Sequence, residues 1–160
     1  MIYIFDLDLT LWDTYNKHGQ HIWAKQMLPP YSQDNRIITD DVFSTCTLRP
    51  GVKEYLEYLY NQGHKIGFIS VGAHWGLPDE EQPSIIMLKK FGIYHYFNYI
   101  KHIKYKLYEK TNSIYDIKEK IVFYDDSPKV LDSLKKYDNI IAIDASEIFN
   151  WNTLIGTHYD

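Results

Sequence analysis

The chain has 160 residues, 45% hydrophobic and 24% charged, with 21 acidic against 17 basic residues, a net charge of -4 and a pI near 5.9. This length suits one domain over residues 1–160, able to bury about 70% of the surface its unfolded form exposes without a disulfide or structural metal. The acidic balance argues against nucleic acid or an anionic membrane as partner.

The single cysteine, Cys46, excludes an intrachain disulfide. No apolar stretch reaches the roughly 18 residues of a membrane span, and Met1 to Phe5 meets Asp6 too early for a signal peptide, so a reducing cytoplasm is the expected compartment. The 15 tyrosines, beside 20 isoleucines and four alanines, read as composition rather than function.

In chain order, Ile2 to Phe5 is a short apolar run and a predicted strand. Residues 12–48 break the pattern with polar and turn residues; a hairpin of Arg36 to Thr39 and Val42 to Leu48 about Asp40-Asp41 is expected there. Val52 to Asn61 puts Val52, Tyr55, Leu56 and Leu59 on one helical face and closes with Gln62-Gly63. A strand at Lys65 to Ile69, a helix from Ser84 to Phe91, a strand at Phe97 to Ile100 and a helix from Tyr105 to Tyr115 follow. Lys120 to Tyr124 predicts a strand, Ser127-Pro128 opens a helix through Lys136, and Ile140 to Ile143 is the last strand. The alternation predicts an α/β fold: a doubly wound, Rossmann-like parallel sheet of about five strands with helices on both faces. The segment at 12–48 then sits as a flap over the carboxyl edge of the sheet, where such folds place ligands.

Asp6 and Asp8 follow directly on the first strand, and two carboxylates one residue apart on an extended chain point the same way. A second pair, Asp125-Asp126, ends the strand Ile121-Val122-Phe123-Tyr124. Two buried strands each ending in paired acids are costly unless a cation offsets the repulsion, and an all-oxygen ligand set suits Mg²⁺. Solvated turn residues or helix caps are the bland account, the better one for either pair alone. The strand at Lys65 to Ile69 ends in Ser70-Val71-Gly72, a hydroxyl followed by backbone suited to holding a phosphate. Lys101, Lys104 and Lys106 stand at the entry to the following helix.

Acid pair, hydroxyl, lysine and acid pair, each at a strand end and in this order, resemble the haloacid dehalogenase superfamily of phosphohydrolases. Asp6-Leu7-Asp8-Leu9-Thr10-Leu11-Trp12, Leu48-Arg49-Pro50-Gly51-Val52 and Phe123-Tyr124-Asp125-Asp126 are similar to its magnesium-dependent phosphatase type, the capless class III branch. The spacing from Asp8 to Ser70 and from Ser70 to Lys104 leaves no room for a cap domain. The resemblance implies that Asp6 is the nucleophile, forming an aspartyl phosphate, and Asp8 the general acid and base. It implies that Ser70 holds a phosphoryl oxygen, helped by Val71 and Gly72, and that Lys104 neutralises charge, with Lys106 its competitor. Mg²⁺ would be held by the Asp6 side chain, the Asp8 carbonyl and Asp126, with Asp125 a ligand through water or the lysine's partner. Thr10 is expected to fix the loop rather than touch substrate. Val71-Gly72-Ala73-His74-Trp75 departs from the arginine and threonine usual in that branch, which bears on substrate preference.

The expected activity is hydrolysis of a phosphomonoester, on a phosphorylated small molecule or a phosphotyrosine-like phosphoprotein. A phosphotransferase sharing the intermediate and a non-catalytic phosphate-binding module are the alternatives. Cys46 has no evident base, and the histidines lack metal spacing. His74 and Trp75 suit either a leaving-group contact or loop packing. Trp12, Tyr15, Trp23 and Tyr31 suit either an aromatic substrate wall or the flap's own small core, and Tyr124 lies beside Asp125 where an aromatic substrate would be.

Overall fold

The computed structural model describes residues 1–159. Among the described residues, nine strands and three α-helices run in order: β1 (Ile2–Phe5), β2 (Trp12–Tyr15), β3 (Ser32–Asp34), β4 (Ile37–Thr39), β5 (Thr45–Leu48), α1 (Val52–Asn61), β6 (Lys65–Val71), α2 (Pro83–Lys90), β7 (Lys101–Lys104), β8 (Ile121–Asp125), α3 (Pro128–Leu134) and β9 (Ile140–Asp144). Five of them form a wholly parallel sheet in the order β7-β6-β1-β8-β9. The chain winds outward from β1 through β6 to β7, then returns to β8 on the other side. The reversal between β1 and β8 opens a crevice at their carboxyl ends.

The central strands are buried on both faces, as their unbroken apolar runs require. Tyr3, Phe5, Ile66, Phe68, Val122 and Tyr124 pack on one side beneath α1 and α2. The alternate residues Ile2, Ile4, Ile69, Ile121 and Phe123 pack on the other side with Val130 and Leu134 of α3 and with Ile114. Trp151, wholly buried, closes the first core against Phe5, Tyr55 and Tyr124.

The flap is a four-stranded antiparallel sheet in the order β2-β5-β4-β3. The expected hairpin is present, with Ile38 opposite Cys46 and Thr39 opposite Thr45, but its second strand begins at Thr45 rather than Val42, because Asp40 Oδ1 accepts from the Val42 and Ser44 N–H groups and widens the turn to Asp40 to Ser44. Its buried residues Trp12, Ala24, Met27, Ile38 and Cys46 are continuous with the core beneath α1 and α2, and Arg49 donates to both oxygens of Asp13 at 3.0 Å and fixes the flap to the start of α1. No helix among the described residues is long and apolar enough to cross a membrane.

Two predicted elements shift. The apolar run Phe97 to Ile100 is not a strand: Phe97 fills the core edge-on to Phe5 and Phe68, and the strand begins at Lys101. Tyr105 to Tyr115 is not an α-helix but a short 3-10 turn at Leu107–Glu109 followed by further turns.

Candidate active site

The first strand delivers Asp6 and Asp8 to the crevice through a tight loop. Asp6 N–H donates to the Tyr124 carbonyl at 2.9 Å, the last rung of the β1/β8 ladder, which sets Asp6 beside Asp125. Leu9 takes a left-handed conformation, φ 61°, and Thr10 and Leu11 donate back to the Leu7 carbonyl, closing the turn. The buried Thr10 hydroxyl reaches Asp6 Oδ2 at 3.4 Å.

The lysine that meets these acids is Lys110. Its ammonium lies 2.8 Å from Asp6 Oδ1 and 2.5 Å from Asp125 Oδ2, and the residue is 2% exposed. This corrects the assignment to Lys104. Since the strand runs through Lys104 instead of ending before it, Lys104 contributes its carbonyl, which accepts from Gly72 and Ala73, and its side chain does not line the cavity. Lys106 lies over the Tyr108 ring, 5.7 Å from its centroid. The only sequence signal for Lys110 was its place beyond a strand end that the apolar pattern put four residues too early.

Asp126 completes the cluster. One carboxylate oxygen each from Asp6, Asp125 and Asp126 lie within 4.8 Å of one another. Asp125 Oδ1 also accepts from Ser127 N–H at 2.9 Å. Burial, with Asp6 close by, raises Asp125 to about 6 and Asp126 to about 8. Burial opposes the Lys110 ammonium, yet Asp6 and Asp125 hold its pKa above the ordinary lysine value. Three converging carboxylates, with Asp125 and Asp126 held toward their protonated forms by burial, fit a hard divalent ion. The Asp8 carboxylate is not part of this set.

Asp8 is turned elsewhere. The Trp12 indole N–H and the Ala24 amide both donate to its Oδ1 at 3.0 Å, and no donor reaches Oδ2 among the described residues. Burial pushes this carboxyl up to about 6 from 3.8. Since its folded value lies above the unfolded one, stability is fully present below about pH 4 and is lost as pH rises through 6. The loss is about 3 kcal/mol from this group alone, and Asp125 and Asp126 add to it with the same sign. Melts in chelator at pH 4.5 and 7.5 are expected to show wild type less stable at the higher pH, and Asp8→Asn with a visibly smaller drop. A wild type that gains stability over that range would contradict buried, uncompensated carboxyls.

A cavity of about 480 Å³ opens above the acids. Asp6, Asp8, Lys110, Asp125 and Asp126 form its polar part, and Val71 and Gly72, Trp23 and Lys25 from the flap, Leu107, Ser127 and Pro128 surround them. Ser70 is buried at the end of β6, next to the Val71-Gly72 wall, and its hydroxyl has only a 3.5 Å contact to the Val71 carbonyl. The Gly72 amide is already committed to the Lys104 carbonyl at 2.9 Å, which removes it as a phosphate donor.

Other candidates fall into place around the cavity. His74 bonds through its ring to the Lys25 carbonyl and through its N–H to Gln82, so it ties the loop after β6 to the flap. Trp75 is 88% exposed, stacked on Tyr105, and Cys46 is buried, which pushes its thiol up. Tyr124 is not a substrate wall: it faces away from Asp125 by strand alternation, wholly buried against Phe5, with its hydroxyl on those of Tyr55 and Tyr159. Trp12 is core, whereas Trp23 lines the cavity.

A family model described as haloacid dehalogenase-like hydrolase matches residues 7–105, more than half of the chain. That span holds Asp8, the flap, α1 and Ser70 and stops short of Lys110 and the second acid pair. No curated protein matches the sequence.

Proposed function

The chain belongs to the haloacid dehalogenase-like hydrolases, and we propose that within them it is a Mg²⁺-dependent phosphomonoester hydrolase of the capless type, working through an aspartyl phosphate on Asp6. The observation that carries this reading is the interlock of Asp6, Lys110 and Asp125 at the β1/β8 crevice, with Asp126 converging on Asp6 and Asp125 and a second, separately held acid, Asp8, on the same cavity.

Asp6, Asp126 and the Asp8 carbonyl would hold the cation, which when bound supplies positive charge against the incoming phosphate and polarises the phosphoryl group. A carboxylate oxygen of Asp6 attacks phosphorus in line, a P–O bond to Asp6 forms, and the bond to the leaving oxygen breaks. Asp8 gives its proton to that oxygen through Oδ2, the oxygen no donor occupies. It then takes a proton from the water that attacks phosphorus, releasing phosphate and restoring Asp6. A carboxyl raised to about 6 suits both halves, since each form is accessible near neutrality. Lys110 keeps Asp6 aimed and offsets charge on the phosphoryl oxygens, with Asp125 as its anchor. Ser70 offers its hydroxyl to one phosphoryl oxygen.

Hydrolysis of 4-nitrophenyl phosphate is expected with Mg²⁺ and not with excess chelator. Metal-independent turnover would overturn the reading, and inertness across a broad phosphomonoester panel would favour a binding module instead.

A further inference from the structure

The acids and Lys110 account for the phosphoryl group, but not for the flap side of the cavity. There the turn Ala24–Gln26 presents two residues the chemistry leaves unused, Trp23 and Lys25. Trp23 is 44% exposed yet lines the cavity, and its ring is steadied by the edge of His21, centroids 4.9 Å apart and planes at 89°. Its backbone N–H donates to Gln26 Oε1 at 2.8 Å. Lys25 lays its methylenes across Gly72, where a Cβ would meet its Cδ at 3.2 Å, so the glycine makes the bed on which it lies. Its carbonyl is held by the His74 ring, and the neighbouring Ala24 amide by Asp8.

The turn is thus fixed to the general acid on one side and to the loop after β6 on the other before any ligand arrives. The two cations of the cavity differ in their commitments. Lys110 is paired with Asp6 and Asp125, whereas among the described residues Lys25 forms no ion pair and its ammonium stands more than 4 Å from every carboxylate oxygen. In-line attack by Asp6 puts the leaving oxygen on the far side of phosphorus, so the leaving group extends away from Asp6 into the rest of the cavity, whose lining includes Trp23, Lys25 and Leu107.

We propose, resting on the phosphatase reading above, that Trp23 and Lys25 form the leaving-group site, and that the preferred substrates are phosphomonoesters whose leaving group offers a flat aromatic face and a second anionic group. Trp23 stacks on the ring and Lys25 pairs with the anion.

The test compares phenyl phosphate, 4-carboxyphenyl phosphate and ethyl phosphate as substrates, and benzylphosphonate with 4-carboxybenzylphosphonate as ligands in calorimetry. Wild type is expected to favour the carboxylated member of each pair. Lys25→Met keeps the methylene packing on Gly72, and its KM for 4-carboxyphenyl phosphate should rise about tenfold with kcat unchanged, while phenyl phosphate is handled within about twofold of wild type. Trp23→Leu should raise KM for both aryl esters about fivefold and leave ethyl phosphate unchanged. Wild type without the preference, or Lys25→Met losing both members of a pair equally, would overturn the assignment. If hydrolysis needs Mg²⁺ and Asp6 but shows no such preference, the leaving-group site falls alone. If the phosphonates bind with the preference while no ester is cleaved, the site stands and the phosphatase reading falls.

Discussion

Asp6→Asn is expected to lower phosphatase turnover by at least about 10⁴-fold while leaving the fold intact. The amide has the carboxylate's shape but no charge, so it attacks phosphorus poorly, and one of its ends would set an NH₂ against the Lys110 ammonium, which now sits 2.8 Å from Oδ1. The variant should melt no lower than wild type in chelator, because it removes a buried carboxylate from a crowded group of three. Loss of activity with an unchanged or raised melting point therefore separates chemistry from unfolding. Wild type quenched in acid during turnover should carry phosphate in a hydroxylamine-sensitive linkage, and the variant none. Turnover above a few per cent of wild type would mean that water attacks phosphorus directly and that Asp6 only positions.

The parts of this site that lie on central strands were legible because burial on both faces leaves little choice of sequence. Ile2 to Phe5 and Ile121 to Tyr124 are unbroken apolar runs, and an acid at the end of such a run stands out. Helix α1 was legible for the same reason, its apolar residues keeping one face. Strand β7 is misplaced by the apolar pattern because hydrophobicity reports burial, not ladder hydrogen bonding. Phe97 is apolar as a core filler outside any strand. Lys101–Lys104 is polar although it is a strand, since it is the sheet's edge, and an edge strand bearing lysines is protected against pairing with other chains. The displaced strand end carried the lysine assignment with it. The Gly72 amide could not be judged from sequence at all, because whether it is free depends on the β6/β7 register, which pairs Val71 with Lys104. Trp23 and Trp12 looked alike in the flap; only the turn at Ala24–Gln26 sends one to the cavity and leaves the other in the core.

Lys110→Met and Lys104→Met are expected to part company. Lys110 is the counter-ion of two buried carboxylates, and removing one member of a buried ionic group leaves uncompensated charge, costing about 3–5 kcal/mol. Part of that cost is escaped when Asp125, already raised by burial and by Asp6, takes up a proton, since it loses the ammonium that opposed this. The escape does not restore function: a protonated Asp125 has no charge with which to anchor anything, and Asp6 loses the contact on Oδ1 that aims it. A fall in kcat of about 10²–10³-fold follows, together with a melting point several degrees lower. Lys110→Arg should rescue little, because a planar fork in place of a compact ammonium cannot keep contacts of 2.8 and 2.5 Å to two separate carboxylates at a buried position. Lys104→Met keeps the main-chain carbonyl that accepts from Gly72 and Ala73, so its kcat should stay within about twofold of wild type. If instead Lys104→Met were the inactive variant and Lys110→Met the active one, the ion-pair geometry would not be that of the working enzyme.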